Sequence, residues 1–217
     1  MIGACCGGVK AAAARAIPVN ASPPLILASG SRYRRELLQR IVGEFAVTAV
    51  NIDESRQGHE SAAAMAARLA ASKAAAAGTQ AGIVIGSDQT ALVGTSILGK
   101  PGNAPNAARQ LARCSSQTVV FYTAVALRGQ DAAGATITDD HLNITSVRFR
   151  ALSPALIERY VACDQPFDCA GGFKAEAAGP VLFESITSTD PTGLVGLPLC
   201  WLAGALSRHG VELLADR

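Results

Sequence analysis

Acids and bases suited to handling a phosphate stand at separate places along this chain. Asp88 lies in Gly86-Ser87-Asp88-Gln89 between two apolar runs, Asp53-Glu54 follows another, and Lys73 interrupts a helix otherwise built largely of alanine. Lys100 is fixed between Gly99 and Pro101, and Ser29-Gly30-Ser31 leads into Arg34 and Arg35. Two acids with several cations suit metal-assisted phosphoryl chemistry, in which a divalent ion bridges carboxylate and phosphate while a base activates water. Each position also has an ordinary reading. Asp88 can be a turn-forming residue whose carboxylate caps its own backbone, Lys100 a solvated turn lysine, and Ser31 a plain helix cap.

Two of these segments invite a specific motif. Gly94-Thr95-Ser96-Ile97-Leu98-Gly99-Lys100 satisfies G-x-x-x-x-G-K, but Pro101 stands where a P-loop needs Ser or Thr to hold magnesium. Pro101 also removes an amide and disfavours helix at Lys100, so the motif is rejected. The turn Ser29-Gly30-Ser31-Arg32-Tyr33-Arg34-Arg35 is different. It can offer backbone N–H groups and a guanidinium to one anion, and basic residues in a first helical turn oppose the helix dipole unless an anion is present.

The elements that must position these groups alternate. Leu25–Ala28 reads as a strand passing through a small-residue turn into a helix over Arg34–Leu38, and 45–52 as a second strand. Ser61–Ala77 reads as an alanine-rich helix closed by Gly78, and Ile83–Ile85 as a buried strand that would leave Asp88 at its end, where α/β proteins place reactive groups. Ala91–Val93 and Ser96–Leu98 flank a Gly94-Thr95 turn, Ala104–Ala112 is helical, and Val119–Leu127 and Asn143–Phe149 pair antiparallel. Pro154 and Pro198 open the last two helices. The expected fold is a single-domain α/β protein, a mixed sheet flanked by helices.

Length and composition bound the rest. A chain of 217 residues can bury a substantial core. With 19 Lys and Arg against 17 Asp and Glu, the net charge of +2 is too small to hold a nucleic acid by bulk electrostatics, so phosphate binding must be local. No apolar run approaches the roughly 20 residues needed to span a bilayer. The six cysteines include no C-x-x-C pair and are read as reduced thiols. Residues 1–22 read as a poorly ordered extension before a domain over 23–217. The sequons at Asn20 and Asn143 matter only in a secreted protein and are discounted.

The order of Leu27-Ala28-Ser29-Gly30-Ser31, Arg34-Arg35, Asp53-Glu54, Ser72-Lys73-Ala74, Gly86-Ser87-Asp88-Gln89, Leu98-Gly99-Lys100-Pro101, Phe167–Lys174 and Gly196-Leu197-Pro198 resembles the Maf family of nucleotide pyrophosphatases. The resemblance covers residues 25 to about 214. It implies a Maf/ITPase-like fold and hydrolysis of a nucleoside triphosphate to monophosphate and pyrophosphate, with magnesium or manganese as cofactor. It implies Asp88 as proton acceptor for the attacking water, Ser31, Arg34, Lys73 and Lys100 as triphosphate ligands, and Glu54 with Asp88 as metal ligands. It further suggests a cytoplasmic homodimer with no nucleic-acid or membrane partner.

Within that family Tyr33, Gln89 and Glu176 resemble the branch acting on 7-methyl-GTP, where an aromatic, glutamine and glutamate stand, rather than the dTTP/UTP branch with arginine, threonine and glutamine. N7-methylation makes guanine cationic, so Tyr33 could stack on it by cation–π attraction. Glu176 could accept from guanine N1–H and N2–H₂, which uracil's carbonyls cannot offer. Other readings are a surface Tyr33 and a solvated Glu176 paired with Lys174. Arg32 stands where the family turn commonly has proline. The alternatives to 7-methyl-GTP hydrolysis are the dTTP/UTP activity, a nucleotide-binding regulator of cell division with little turnover, and a phosphatase releasing orthophosphate.

Overall fold

The computed structural model describes residues 22–78, 82–131 and 133–215. Apart from Ser22, the expected extension lies outside the described residues, as does the Asn20 sequon. The described chain runs β1 (Leu25–Ala28), α1 (Arg32–Leu38), β2 (Ala46–Val47), α2 (Ala62–Ala76), β3 (Ile83–Val93), β4 (Ser96–Leu98) and α3 (Ala104–Cys114). It continues through β5 (Thr118–Gln130), β6 (Thr136–Phe149), α4 (Pro154–Asp164), β7 (Phe183–Ser188) and α5 (Leu199–Arg208), with short 3-10 turns at Gly179–Leu182 and Pro191–Val195.

The strands form one mixed sheet in the order β2-β1-β3-β5-β6-β7, with β4 folded back on β3. β1 runs parallel to both β2 and β3, whereas β3, β5, β6 and β7 pair antiparallel. The expected α/β mixed sheet and the antiparallel pairing of Val119–Leu127 with Asn143–Phe149 are both present. One sheet face packs on α2 through Ala66, Ala70, Ala74, Val84, Ala124 and Ala126. The other carries larger side chains, with Leu27, Ile85 and Leu127 against Leu202 and Leu206 of α5 at one end. At the other end Phe121, Phe149, Phe173 and Phe183 interlock edge-to-face around Leu111 and Ile157.

Two expectations about strands are corrected. The strand over 45–52 shrinks to Ala46–Val47, because its only partner is the four-residue β1; Thr48 makes a last hydrogen bond to the Leu27 carbonyl at 3.0 Å and the chain then leaves the sheet. Ile83–Ile85 and Ala91–Val93 are a single eleven-residue strand, so Asp88 lies mid-strand and not at a strand end. The strand-end rule applies to β1 instead. Its pairing with β3 stops at Ala28 opposite Gly86, while β3 continues on β5, and Ala28 and Asp88 line the cavity beyond β1's carboxyl end. The rejected P-loop stays rejected, since Gly94 and Thr95 form the β3–β4 turn and the helix after Lys100 starts only at Ala104.

The alanine content of α2 has a packing cause. A Cβ on Gly86 would stand 2.2 Å from the Ala70 carbonyl oxygen and 2.6 Å from the Ala74 amide nitrogen, so helix backbone and strand backbone are in direct contact. Only small residues on both sides allow that approach. Ser61 caps the helix, accepting from Ala64 N–H at 3.1 Å. Gly86→Ala must push α2 off the sheet, and a loss of at least about 1–3 kcal/mol in unfolding free energy is expected from overpacking. Denaturant titration checks this; an unchanged midpoint would show that helix and strand separate freely.

Candidate active site

Period-two alternation sends the residues of β3 to opposite faces. Gly86, Asp88 and Thr90 face α2, where Thr90 Oγ1 donates to the Ala62 carbonyl at 2.7 Å. Ser87 and Gln89 face the segment 193–196: Ser87 Oγ donates to the Gly196 carbonyl at 2.9 Å, and Gln89 Nε2 donates toward the Gly193 and Leu194 carbonyls at 3.0 and 3.2 Å. Asp88 and Thr90 from one face and Gln89 from the other line a cavity of about 810 Å³ whose walls include Ser31, Tyr33, Arg34, Lys100 and Glu176. All nine residues expected at the site line this one cavity.

At its floor, Lys73 Nζ lies 2.6 Å from Asp88 Oδ1 and 2.6 Å from Glu54 Oε1. Lys73 and Asp88 are both buried, with side chains 10% exposed, whereas that of Glu54 is 51% exposed. The bridge therefore joins a buried acid to one that faces the opening. The hydrogen bond from Lys73 holds the Glu54 carboxyl below its ordinary value against the opposing cost of burial, and the charges of Lys100 and Arg34 add to the effect. Asp88 Oδ2 has no hydrogen-bond partner among the described residues.

Arg34 comes from α1, whose cap Ser31 accepts from Arg34 N–H at 3.4 Å. Its Nε donates to the Gly196 carbonyl at 2.9 Å and its Nη1 to Ser29 Oγ at 3.5 Å. Burial lowers its affinity for the proton, while Asp88 and Glu54 oppose that shift. Gly196 thus receives both Ser87 and Arg34 on one carbonyl. Its φ of +119° is a conformation for glycine, and a Cβ there would stand 3.3 Å from Arg34 Nε.

Tyr33 and Glu176 line the cavity together with Asp168 and Cys169. Burial pushes the Tyr33 phenol up to about 12, with Cys169, Asp168 and Glu176 adding and Arg32 opposing. Burial likewise pushes the Cys169 thiol up to about 12, helped by the adjacent Asp168 charge. The Arg32 guanidinium lies 5.2 Å from the Tyr33 ring centroid, so the ring already interacts with a cation. Lys174 is not the partner of Glu176: its ammonium donates to the Asp164 carbonyl at 2.7 Å.

Gln89 is placed differently from a simple base reader. Its amide nitrogen is committed to Thr123 Oγ1 at 2.8 Å as well as to the two loop carbonyls, which leaves Oε1 as its free function. The residues absent from the sequence expectations are Ser87, Thr123 and Asp190, which hold the 190–196 segment. Asp190 accepts from Thr192 Oγ1 at 2.6 Å and from the Cys200 amide at 2.6 Å, tying that segment to the start of α5. The Asn143 sequon belongs to the same network: Asn143 and Thr145 are buried and joined by a 3.1 Å hydrogen bond, so the amide cannot carry a glycan.

These features define a class first, an α/β protein with a mixed acid–base cleft between a parallel strand end and a tightly packed helix. The chain belongs to the Maf-like protein family, whose model matches residues 24–209. Relatives from Xanthomonas oryzae pv. oryzae, Thiobacillus denitrificans and Alcanivorax borkumensis, each named 7-methyl-GTP pyrophosphatase, are 47%, 44% and 43% identical to it. These matches cover 88%, 89% and 88% of this chain and 99%, 96% and 97% of the relatives.

Because its folded pKa is depressed, Glu54 contributes stability that is present above its ordinary pKa of 4.5 and is lost as pH falls through the folded value. The stability difference between wild type and Glu54→Gln is therefore expected to be full above pH 4.5 and to shrink on acidification. Denaturant midpoints across that range test the sign, and a gap that widens toward acid contradicts it.

Proposed function

We propose that this protein hydrolyses 7-methyl-GTP, or a closely related modified purine triphosphate, between the α- and β-phosphates. The observation that carries the reading is the carboxylate pair on Lys73 at the floor of a cavity whose rim bears Tyr33 and Glu176. The names of the relatives point to the same substrate.

Asp88 is the proposed general base. Lys73 engages Oδ1 and holds the carboxylate in one orientation, leaving Oδ2 to accept a proton from water. The water oxygen bonds to the α-phosphorus, its proton passes to Asp88, and the bond from that phosphorus to the bridging oxygen breaks. Pyrophosphate leaves with the electron pair. Arg34, Lys73 and Lys100 offset the charge that develops on it, and Ser31 supplies a hydroxyl to the phosphate chain.

Glu54 and Asp88 are the proposed metal ligands. Among the described residues no cluster of three or more His, Cys, Asp or Glu can hold a metal. Two hard carboxylate oxygens nevertheless fit magnesium or manganese, which characteristically share one or two carboxylates with substrate phosphates. When bound with the nucleotide, such an ion supplies charge neutralisation at the phosphates.

Glu176 would accept from the guanine edge and Tyr33 would stack on the cationic ring, exchanging Arg32 for the base as its cation. Gln89 contributes by fixing the 193–196 segment and through Oε1. Such an activity removes modified nucleotides before polymerases use them. A cytoplasmic setting is part of this proposal, and no described helix is long and apolar enough to cross a membrane.

Asp88→Asn is expected to lower kcat by about 10²–10⁴, the range for loss of a general base. The assay is pyrophosphate release from a panel of canonical and modified triphosphates with magnesium and with manganese. Preference for UTP or dTTP would assign the pyrimidine activity, orthophosphate release would assign a phosphatase, and persistence of cellular effects in Asp88→Asn would favour a regulatory role. On the same panel, Glu176→Gln should narrow the preference for 7-methyl-GTP over UTP.

A further inference from the structure

The cavity is short of positive charge for a triphosphate. Its walls hold five basic residues, Arg32, Arg34, Lys73, Lys100 and Lys174, against four acidic ones, Glu54, Asp88, Asp168 and Glu176, a surplus of one positive charge. Lys73 in particular is spent on Asp88 and Glu54. A terminal phosphate alone carries about −1.5 to −2 charge near neutral pH. Further cations are needed where the outer phosphates lie.

They are found beyond Lys100. A second cavity of about 280 Å³ adjoins it, lined by Lys100, Pro101, Asn106, Arg109, Gln110 and Arg113. Lys100 is common to the walls of both cavities. No carboxylate lines the second one, and neither Arg109 nor Arg113 has an ion-pair partner among the described residues. The two arginines stand four apart on α3, an arrangement in which like charges repel unless an anion joins them.

The same helix fixes the turn that carries Lys100. Asn106 Nδ2 donates to the Pro101 carbonyl at 2.8 Å, and Gln110 Nε2 donates to the Gly99 carbonyl at 3.0 Å. Arg109 Nη2 in turn donates to Asn106 Oδ1. The carbonyls on either side of Lys100 are thereby tied to α3, and lysine and arginines form one positioned set. Arginine forks suit bidentate recognition of phosphate.

We propose that Arg109 and Arg113, with Lys100, form a subsite for the outer phosphates of the nucleotide and for the pyrophosphate released from it. The identity of the ligand rests on the pyrophosphohydrolase reading; the affinity for pyrophosphate does not require turnover. Because both arginines are exposed, the attraction is sensitive to ionic strength.

The test is calorimetric titration of inorganic pyrophosphate with magnesium into the full chain, comparing wild type, Arg109→Ala/Arg113→Ala and, as a control for lost surface charge, Arg40→Ala. The double variant is expected to bind pyrophosphate about tenfold more weakly and to raise KM for the triphosphate more than it lowers kcat, while the control matches wild type. Absence of pyrophosphate binding by wild type, equal binding by all proteins, or equal loss in the control overturns the subsite. So does dependence on these arginines for a single-stranded oligonucleotide and not for pyrophosphate. Arginine-dependent pyrophosphate binding by a protein that releases none from any triphosphate upholds the subsite and overturns the proposed function.

Discussion

The site depends on how closely a helix can approach a strand. Gly86 has no side chain, Ala70 and Ala74 have almost none, and α2 consequently lies with its backbone against β3. Lys73 is thereby brought to within 2.6 Å of a carboxylate that the strand turns toward the helix. With a longer separation the ammonium could still reach outward to Glu54, but Asp88 would be a buried charge lacking its partner, a costly state. Packing and electrostatics therefore cannot be varied independently at this position.

The opposite face of the same strand is organised by backbone acceptors. The Gly196 carbonyl receives Ser87 and Arg34, and the carbonyls of Gly193 and Leu194 receive Gln89. The α2-facing Asp88 and the 193–196 loop, which carries no acid or base of its own, are thus held in register by alternate residues of β3. Asp190 extends the arrangement to α5, since a buried carboxylate bonded to Thr192 and to the Cys200 amide closes the loop at its far end.

Much of this was legible in the sequence because it is local. Serine caps, the proline-opened helices and the small-residue turn after β1 each follow from backbone chemistry within a few residues. The extent of β3 was not legible, because Gly86-Ser87-Asp88 looks like a turn unless the thirteen-residue β5 is known to pair along the whole strand. β7 was missed for the converse reason: an edge strand with most residues exposed, Phe183–Ser188 shows no apolar alternation. The cavity residues lie on many separate segments, and only their order along the chain, not any local pattern, linked them. Gln89 shows the limit of that linkage, since its neighbours in space are Thr123, Gly193 and Leu194, far away in sequence.

Cys169 lies on the wall that bears Tyr33 and Glu176, and its thiol is held at about 12. At neutral pH it carries essentially no thiolate, the form that reacts with electrophiles and oxidants. A sulfur that stays protonated adds no further anion to the wall beside Asp168 and Glu176.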